Sequence, residues 1–178
     1  MTLREKYGEW GIILGATEGV GKAFCERLAK EGMNVVMVGR REEKLKELGE
    51  ELKNTYEIDY KVVKADFSLP DATDKIFAAT ENLDMGFMAY VACLHSFGKI
   101  QDTPWEKHEA MINVNVVTFM KCFYHYMKIF AAQDRGAVIN VSSMTGISSS
   151  PWNGQYGAGK AFILKMTEAV ACETEKTN

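Results

Sequence analysis

The run Trp10-Gly-Ile-Ile-Leu14 passes directly into Gly15-Ala-Thr-Glu-Gly19-Val-Gly21, and a helical pattern begins at once. Few local patterns restrict a fold so tightly. The apolar run reads as a short buried strand. Beyond the glycines, Phe24, Leu28 and Ala29 share one helical face while Lys22, Glu26, Arg27 and Lys30 share the other. Gly15 permits the sharp strand-to-helix turn, because glycine alone enters positive φ freely. Gly19 and Gly21 let a ligand and the helix backbone approach closely. The helix N-terminus then presents unpaired N–H groups and a positive dipole end to a pyrophosphate. A glycine triplet alone is a weak signal, but this one has a strand before it and a helix after it. Its spacing is G-x-x-x-G-x-G, not the G-x-G-x-x-G of other dinucleotide folds.

The remaining sequence repeats the alternation without a linker or internal repeat. Asn34–Val38 reads as a second strand, residues 41–55 as a charged helix with Leu45, Leu48 and Leu52 inward, and 60–65 as a third strand. A helix opens near Ser68 and runs to about residue 80, and 85–93 form a fourth strand. A long helix over 105–132 is started by Thr103 as N-cap with Pro104 at its first position. Residues 136–142 form a fifth strand and 154–174 a further helix. Strict alternation predicts an α/β fold: a three-layer, doubly wound parallel sheet covered on both faces, of the Rossmann type.

Near the C-terminus a second constellation carries chemistry. Ser143 precedes Tyr156 by thirteen residues, and Lys160 follows the tyrosine by four. On a helix, that spacing puts the phenol and the ammonium on one face about one turn apart. A phenol with its reference pKa of ~10 is a poor acid–base group at neutral pH. A cation beside it favours phenolate and brings it toward working range. Ser143, after the apolar stretch Ala137–Val141, can hydrogen-bond an oxygen that gains or loses charge. Tyr-x-x-x-Lys alone is common on helices, so the serine and the nucleotide loop carry the weight.

Taken together, Gly15-x-x-x-Gly19-x-Gly21 with Ser143, Tyr156 and Lys160 resembles the short-chain dehydrogenase/reductase family. The resemblance covers essentially the whole chain. The stretches beginning Gly8-Glu-Trp, Asp84-Met-Gly and Ile139-Asn-Val are similar to a bacterial hydroxysteroid dehydrogenase subgroup. That likeness implies an NADP-dependent oxidoreductase for bile acids or steroids, interconverting a 7β-hydroxyl and a 7-oxo group. It implies that Gly15, Thr17, Glu18, Gly19, Val20 and Gly21 hold the cofactor, together with Tyr156 and Lys160. It places Asp66 on the adenine amino group with the Phe67 backbone beside it, and Asn115 in a proton relay through water and Lys160; Asn113 is read as peripheral. An ordinary cap or turn role for Asp66 stays open. Where the family has Asn-Asn-Ala-Gly after the fourth strand, this chain has Tyr90-Val91-Ala92-Cys93, so that support must be rebuilt by packing.

Cofactor choice rests on the end of the second strand. NAD enzymes place a carboxylate there for the ribose 2′-hydroxyl. Here Gly39-Arg40-Arg41 supplies two guanidinium groups instead, suited to a 2′-phosphate. The alternative has Arg40 and Arg41 pairing with Glu42 and Glu43 at a solvated helix start. Glu18 is a dissenting charge near that phosphate. NADP(H) is the expected cofactor.

Residues 1–178 are expected to form one domain. With a net charge of −3 and 25% charged residues, a nucleic-acid partner is not expected. No apolar run reaches the ~20 residues of a membrane span, and the start Met-Thr-Leu-Arg-Glu-Lys is not that of a signal peptide. A cytoplasmic enzyme is therefore expected. Cys25, Cys93, Cys122 and Cys172 read as reduced and mostly buried, and His95, His108 and His125 lack metal-site spacing, so no metal is expected. Trp152, Met144, Phe97 and Trp105 are candidate walls for a flat substrate; His95 is read as core or loop filling, with a place in the substrate pocket as the alternative. The helices over 105–132 and 154–174 resemble the family's dimer-forming pair, implying a homo-oligomer, dimer or tetramer. Family members continue past the Tyr/Lys helix with two more strands, so the domain is expected to be C-terminally incomplete. A carbonyl reductase for aliphatic substrates and a non-catalytic NADP-binding sensor stay open as alternatives.

Overall fold

The three central strands, at 10–14, 34–39 and 85–90, are largely apolar and buried nearly throughout because both faces of the sheet are covered there, whereas the flanking strands at 60–64 and 137–140 are more open. The computed structural model describes residues 1–148 and 150–174, leaving Ser149 and residues 175–178 of the expected domain outside the described residues. The strands are β1 (Trp10–Leu14), β2 (Asn34–Gly39), β3 (Tyr60–Lys64), β4 (Met85–Tyr90) and β5 (Ala137–Asn140). All pair in parallel, in the order β3-β2-β1-β4-β5. Alternate residues of each strand feed opposite layers. Ile12, Leu14, Val36, Val38, Met88 and Tyr90 face one core, closed by α4 (Ala72–Thr80), the long helix of residues 105–133 and α7 (Gly154–Thr174). Ile13, Val35 and Met37 face the other, closed by α2 (Gly19–Lys30) and α3 (Glu42–Tyr56) through Cys25, Leu28, Leu45 and Leu52. The expected three-layer α/β fold is the one observed.

The chain winds outward from β1 to β3, then crosses back to place β4 on the other side of β1. Strand order reverses between β1 and β4, and ligands of open α/β sheets bind in the crevice beyond the strand C-termini there. Leu14 and Tyr90 are partners at that end.

Several boundaries differ from the sequence reading for identifiable reasons. β4 stops at Tyr90, not residue 93, because the Val91 and Ala92 amides both turn onto the Leu14 carbonyl, at 2.8 and 2.7 Å. The helix expected from Ser68 begins at Ala72, since Asp66 first folds the chain back on itself by accepting from the Ser68 amide at 3.0 Å. Thr103 is not an N-cap: its hydroxyl donates to the Lys99 carbonyl at 3.1 Å, and Pro104 takes the cap position before α5 (Trp105–Ile112). The long helix is continuous, but Asn113–Thr118 form a π-helical turn before α6 (Phe119–Gln133). An unanticipated helix, α1 (Leu3–Tyr7), is closed by a capping box between Thr2 and Glu5, with bonds of 3.2 and 2.7 Å. Among the described residues β5 is a sheet edge, with Ile139 partly open to solvent.

Candidate active site

The turn from β1 to α2 is shaped by contacts that admit no side chain. Gly15 sits at φ +102, and a Cβ there would lie 2.6 Å from the Ala92 amide nitrogen. A Cβ on Gly21 would collide with the Gly15 carbonyl. By contrast, a Cβ on Gly19 would meet no heavy atom within 4 Å. The N-terminus of α2 therefore opens onto free space, and its cap, Glu18, makes no side-chain bond to it. A diphosphate fits such a terminus, with N–H donors and the dipole directed at it.

This terminus borders a cavity of about 390 Å³. Gly15, Thr17, Glu18 and Val20 line one end, Arg40, Arg41, Asp66 and Phe67 the next, and Tyr156 and Lys160 the far end. Gly19 and Gly21 are not in its wall; Gly21 acts from behind, by its contact with Gly15. Ser143 is also outside the lining, although its neighbours Val141 and Ser142 are in it.

At the arginine end, Arg41 pairs with Glu18 at 2.8 Å. The hydrogen bond and charge of Arg41 hold the Glu18 carboxyl below its ordinary range. The alternative pairing with the helix start is absent: Glu42 goes to Lys46 and Lys64, and Glu43 to Lys46. Asp66 takes both an amide bond and a 2.7 Å hydroxyl bond from Ser68. Burial alone would raise its pKa, but these bonds and the Arg40 charge outweigh it and leave the carboxyl below its ordinary range. Asp66 is thus a turn residue and also a cavity wall. Asn113, expected to be peripheral, donates to the Ser68 carbonyl at 3.2 Å and ties the long helix to this turn.

At the other end, α7 and the chain after β5 are locked backbone to backbone. Ser142 Oγ donates to the Lys160 carbonyl at 2.7 Å. A Cβ on Gly157 would lie 2.7 Å from the Thr145 carbonyl oxygen, and one on Gly146 would lie 2.8 Å from the Lys160 carbonyl carbon. Small residues allow this approach, and it presents Ser143 to Tyr156. Ser143 Oγ accepts from the Thr145 amide at 3.2 Å and the Thr145 hydroxyl at 3.0 Å, so its own hydrogen remains available for donation.

Tyr156 and Lys160 share a face as the spacing predicts, with Nζ 5.8 Å from the ring centroid. Their electrostatics differ from the sequence reading. Burial raises the phenol's pKa above its ordinary value, the Cys93 thiol beside it raises it further, and only Ser143 pulls it down. The Lys160 ammonium is buried, donates to the Val141 carbonyl at 2.6 Å, and has its own pKa lowered by that burial. Desolvation sets the direction for both groups.

Asn115 lies in the π-helical turn, and both heteroatoms of its side-chain amide are bonded to Leu94. Its Oδ1 accepts from the Leu94 amide at 3.0 Å and its Nδ2 donates to the Leu94 carbonyl at 2.7 Å. It also abuts α7, since a Cβ on Gly159 would stand 2.9 Å from Asn115 Cβ. Of the two readings of His95, the structure favours a place beside the site: its ring packs edge-to-face with that of Tyr156, centroids 5.9 Å apart. Cys93 is exposed, not buried, and lines the cavity with Leu94. The usable signal for both was position: they follow a strand C-terminus at the switch point.

Trp105 and Trp152 line a larger cavity of about 980 Å³ with Lys99 and His108, whereas Phe97 and Met144 do not, and all four candidate wall residues are exposed. None of Tyr156, Lys160 and Ser143 belongs to this cavity; Tyr156 and Lys160 line the smaller one, which is the candidate site. Among the described residues no group of three His, Cys, Asp or Glu side chains is placed to hold a metal, and no helix is long and apolar enough to cross a membrane.

The chain is similar to known proteins along nearly its whole length. The short chain dehydrogenase family model matches residues 9–178. A 7beta-hydroxysteroid dehydrogenase of Collinsella aerofaciens is 82% identical over 177 residues, covering 99% of this chain and 67% of the relative. One from Clostridium sardiniense is 46% identical over 178 residues, covering 100% of this chain and 68% of the relative. A solved structure from a study of 7beta-hydroxysteroid dehydrogenase stereoselectivity superposes with a TM-score of 0.98 at 82% identity, over 99% of this chain and 68% of that one.

Proposed function

This chain belongs to the short-chain dehydrogenase family, whose members use nicotinamide cofactors, and on that premise we propose that it is an NADP(H)-dependent 7β-hydroxysteroid oxidoreductase. One observation carries the reading: a phosphate-ready helix terminus, an arginine pair, the half-buried Tyr156 and the buried Lys160 open onto one cavity at the sheet's switch point. Identity of 82% to a 7beta-hydroxysteroid dehydrogenase supports the substrate class, the 7β-hydroxyl or 7-oxo group of bile acids.

In this reading Gly15, Thr17, Glu18, Gly19, Val20 and Gly21 cradle the cofactor's diphosphate, Arg40 and Arg41 take its 2′-phosphate, and Asp66 and Phe67 its adenine. The bound cofactor supplies or accepts a hydride. Everything else falls to the protein. Tyr156, held as a neutral phenol, gives its proton to the oxygen of a carbonyl undergoing reduction and takes it back in oxidation. Ser143 donates a hydrogen bond to that same oxygen, using the hydrogen its Thr145 contacts leave available. Lys160 delivers positive charge under the phenol and reaches the cofactor's ribose. Asn115, fixed by its two bonds to Leu94, takes part in the proton relay through water and Lys160. Residues 1–178 act as one cofactor-binding domain of a cytoplasmic homo-oligomer, associating through the long helix, whose Ile112, Val117 and Tyr124 are exposed.

The test follows NADPH absorbance in the full-length protein with a 7-oxo bile acid, a small aliphatic ketone, and no substrate. Turnover with the bile acid alone is expected. Turnover of the small ketone at equal efficiency would replace the reading with a general carbonyl reductase, and NADPH binding without turnover of either would replace it with a sensor.

A further inference from the structure

Tyr90 ends β4 at the switch point, and no part of it reaches solvent. A tyrosine so buried needs a partner for its hydroxyl. It has one: the hydroxyl donates to the Val114 carbonyl at 2.6 Å. Val114 belongs to the π-helical turn, where the wider coil loosens the regular i→i−4 ladder and frees carbonyls to accept from outside the helix. The next residue is Asn115, held by two bonds to Leu94, four residues beyond Tyr90. A single chain segment, 90–94, therefore grips the turn at two successive positions.

The contacts continue in both directions from there. The Tyr90 ring meets Phe119 at 5.3 Å and Phe67 at 6.1 Å, both edge-on. Phe67 follows Asp66, and its carbonyl accepts from Thr118 Oγ1 at 2.8 Å, at the far end of the same turn. In the other direction Asn115 rests against Gly159, the residue before Lys160.

We propose that Tyr90 is a positioning residue for the reaction: by holding the Val114 carbonyl it sets the π-helical turn, and through it the placement of Asn115 against Leu94 and the Lys160 turn of α7. The inference rests on the proposed oxidoreductase reading. Burial pushes the Tyr90 phenol well above the ordinary tyrosine range, so it stays a neutral donor throughout the working pH range. Phenylalanine fills the same space and cannot donate. The turn then loses a fixed point without losing its packing.

Tyr90→Phe in the full-length enzyme is the test, with Tyr126→Phe as its control. Tyr126 is equally buried in the same core, and its hydroxyl meets Thr80 Oγ1 at 3.0 Å, away from the site. With a 7-oxo bile acid and NADPH, Tyr90→Phe is expected to lower kcat about tenfold while KM for both substrates moves less than twofold. Its pH–rate profile shifts with the displaced relay, whereas Tyr126→Phe keeps both kcat and profile. Amide exchange gives an activity-independent readout: the Leu94 amide, bonded to Asn115 Oδ1, exchanges at least about tenfold faster in Tyr90→Phe and unchanged in Tyr126→Phe. Unchanged Leu94 exchange, or equal kcat effects in the two variants, would overturn the inference. If Tyr90→Phe fails to fold, Tyr90→Met carries the same expectations. Absence of turnover in the wild type would count against the oxidoreductase reading and leave the exchange result to decide the role of Tyr90.

Discussion

Lys160 Nζ donates to the Val141 carbonyl at 2.6 Å from a side chain only 1% exposed. The bond ties the catalytic helix to the end of β5, just before Ser142 and Ser143. An ammonium withdrawn from water is expensive unless it is well partnered. That burial lowers the Lys160 pKa.

Replacing Lys160 with methionine separates the two roles. Methionine relieves the desolvation of the ammonium but leaves the Val141 carbonyl without its donor, and the two effects oppose each other. The thermal midpoint is therefore expected to move by no more than about 5 °C, while turnover falls about 10²-fold or more. Turnover within a factor of two of wild type would remove Lys160 from the mechanism.

Tyr156→Phe is expected to abolish turnover, a loss of at least about 10²–10⁴-fold, and to leave NADPH binding nearly intact. Cofactor fluorescence titration and single-turnover kinetics measure the two quantities separately. Substantial residual turnover in the purified variant would sink the assignment.

The pH dependence has a definite sign. The phenol's pKa is raised, so the neutral acid persists up to and beyond its ordinary ~10. Reduction consumes the proton and should be flat through neutrality, declining only as pH rises through that pKa. Oxidation needs the phenolate and should climb over the same range. Cys93 contributes to the raised value, so Cys93→Ala should move both limbs to lower pH. Limbs that stay in place would show that the thiol has no influence on Tyr156.

Arg41 is held by Glu18 at 2.8 Å, in competition with any phosphate it binds. Arg41→Ala should weaken NADPH binding about 10–100-fold and spare NADH, because charge-assisted bonds to a phosphate are lost. Glu18→Gln should tighten NADPH binding, most clearly at low salt. Equal effects of Arg41→Ala on NADPH and NADH would contradict a 2′-phosphate role.

Gly146→Ala would place a methyl group 2.8–3.0 Å from the Lys160–Ala161 backbone. Backbone cannot step aside as a side chain can, so the Ser143 segment must shift. A stability loss of roughly 1–3 kcal/mol is expected, with kcat reduced more than KM. Denaturant unfolding and steady-state kinetics check both, and an unaffected kcat would show that Ser143 tolerates the shift.

Local rules made the strands, the glycine turn and the Tyr156–Lys160 face legible in the sequence, because period and spacing act over a few residues. The chain by itself determined an alternating α/β fold, a glycine turn before a helix, and a spacing that sets Tyr156 and Lys160 on one face. Tertiary structure decided how those residues behave. Burial, a property of the whole packed molecule, raised the Tyr156 pKa where the nearby lysine predicted a fall. The partner of Arg41 turned out to be Glu18, twenty-three residues away along the chain, and not the adjacent glutamates. Likewise the π-helical turn at Asn115 follows from what β4 and α7 press against it, the Tyr90 hydroxyl on one side and Gly159 on the other. Desolvation and contact depend on atoms distant in sequence, and no local pattern encodes them.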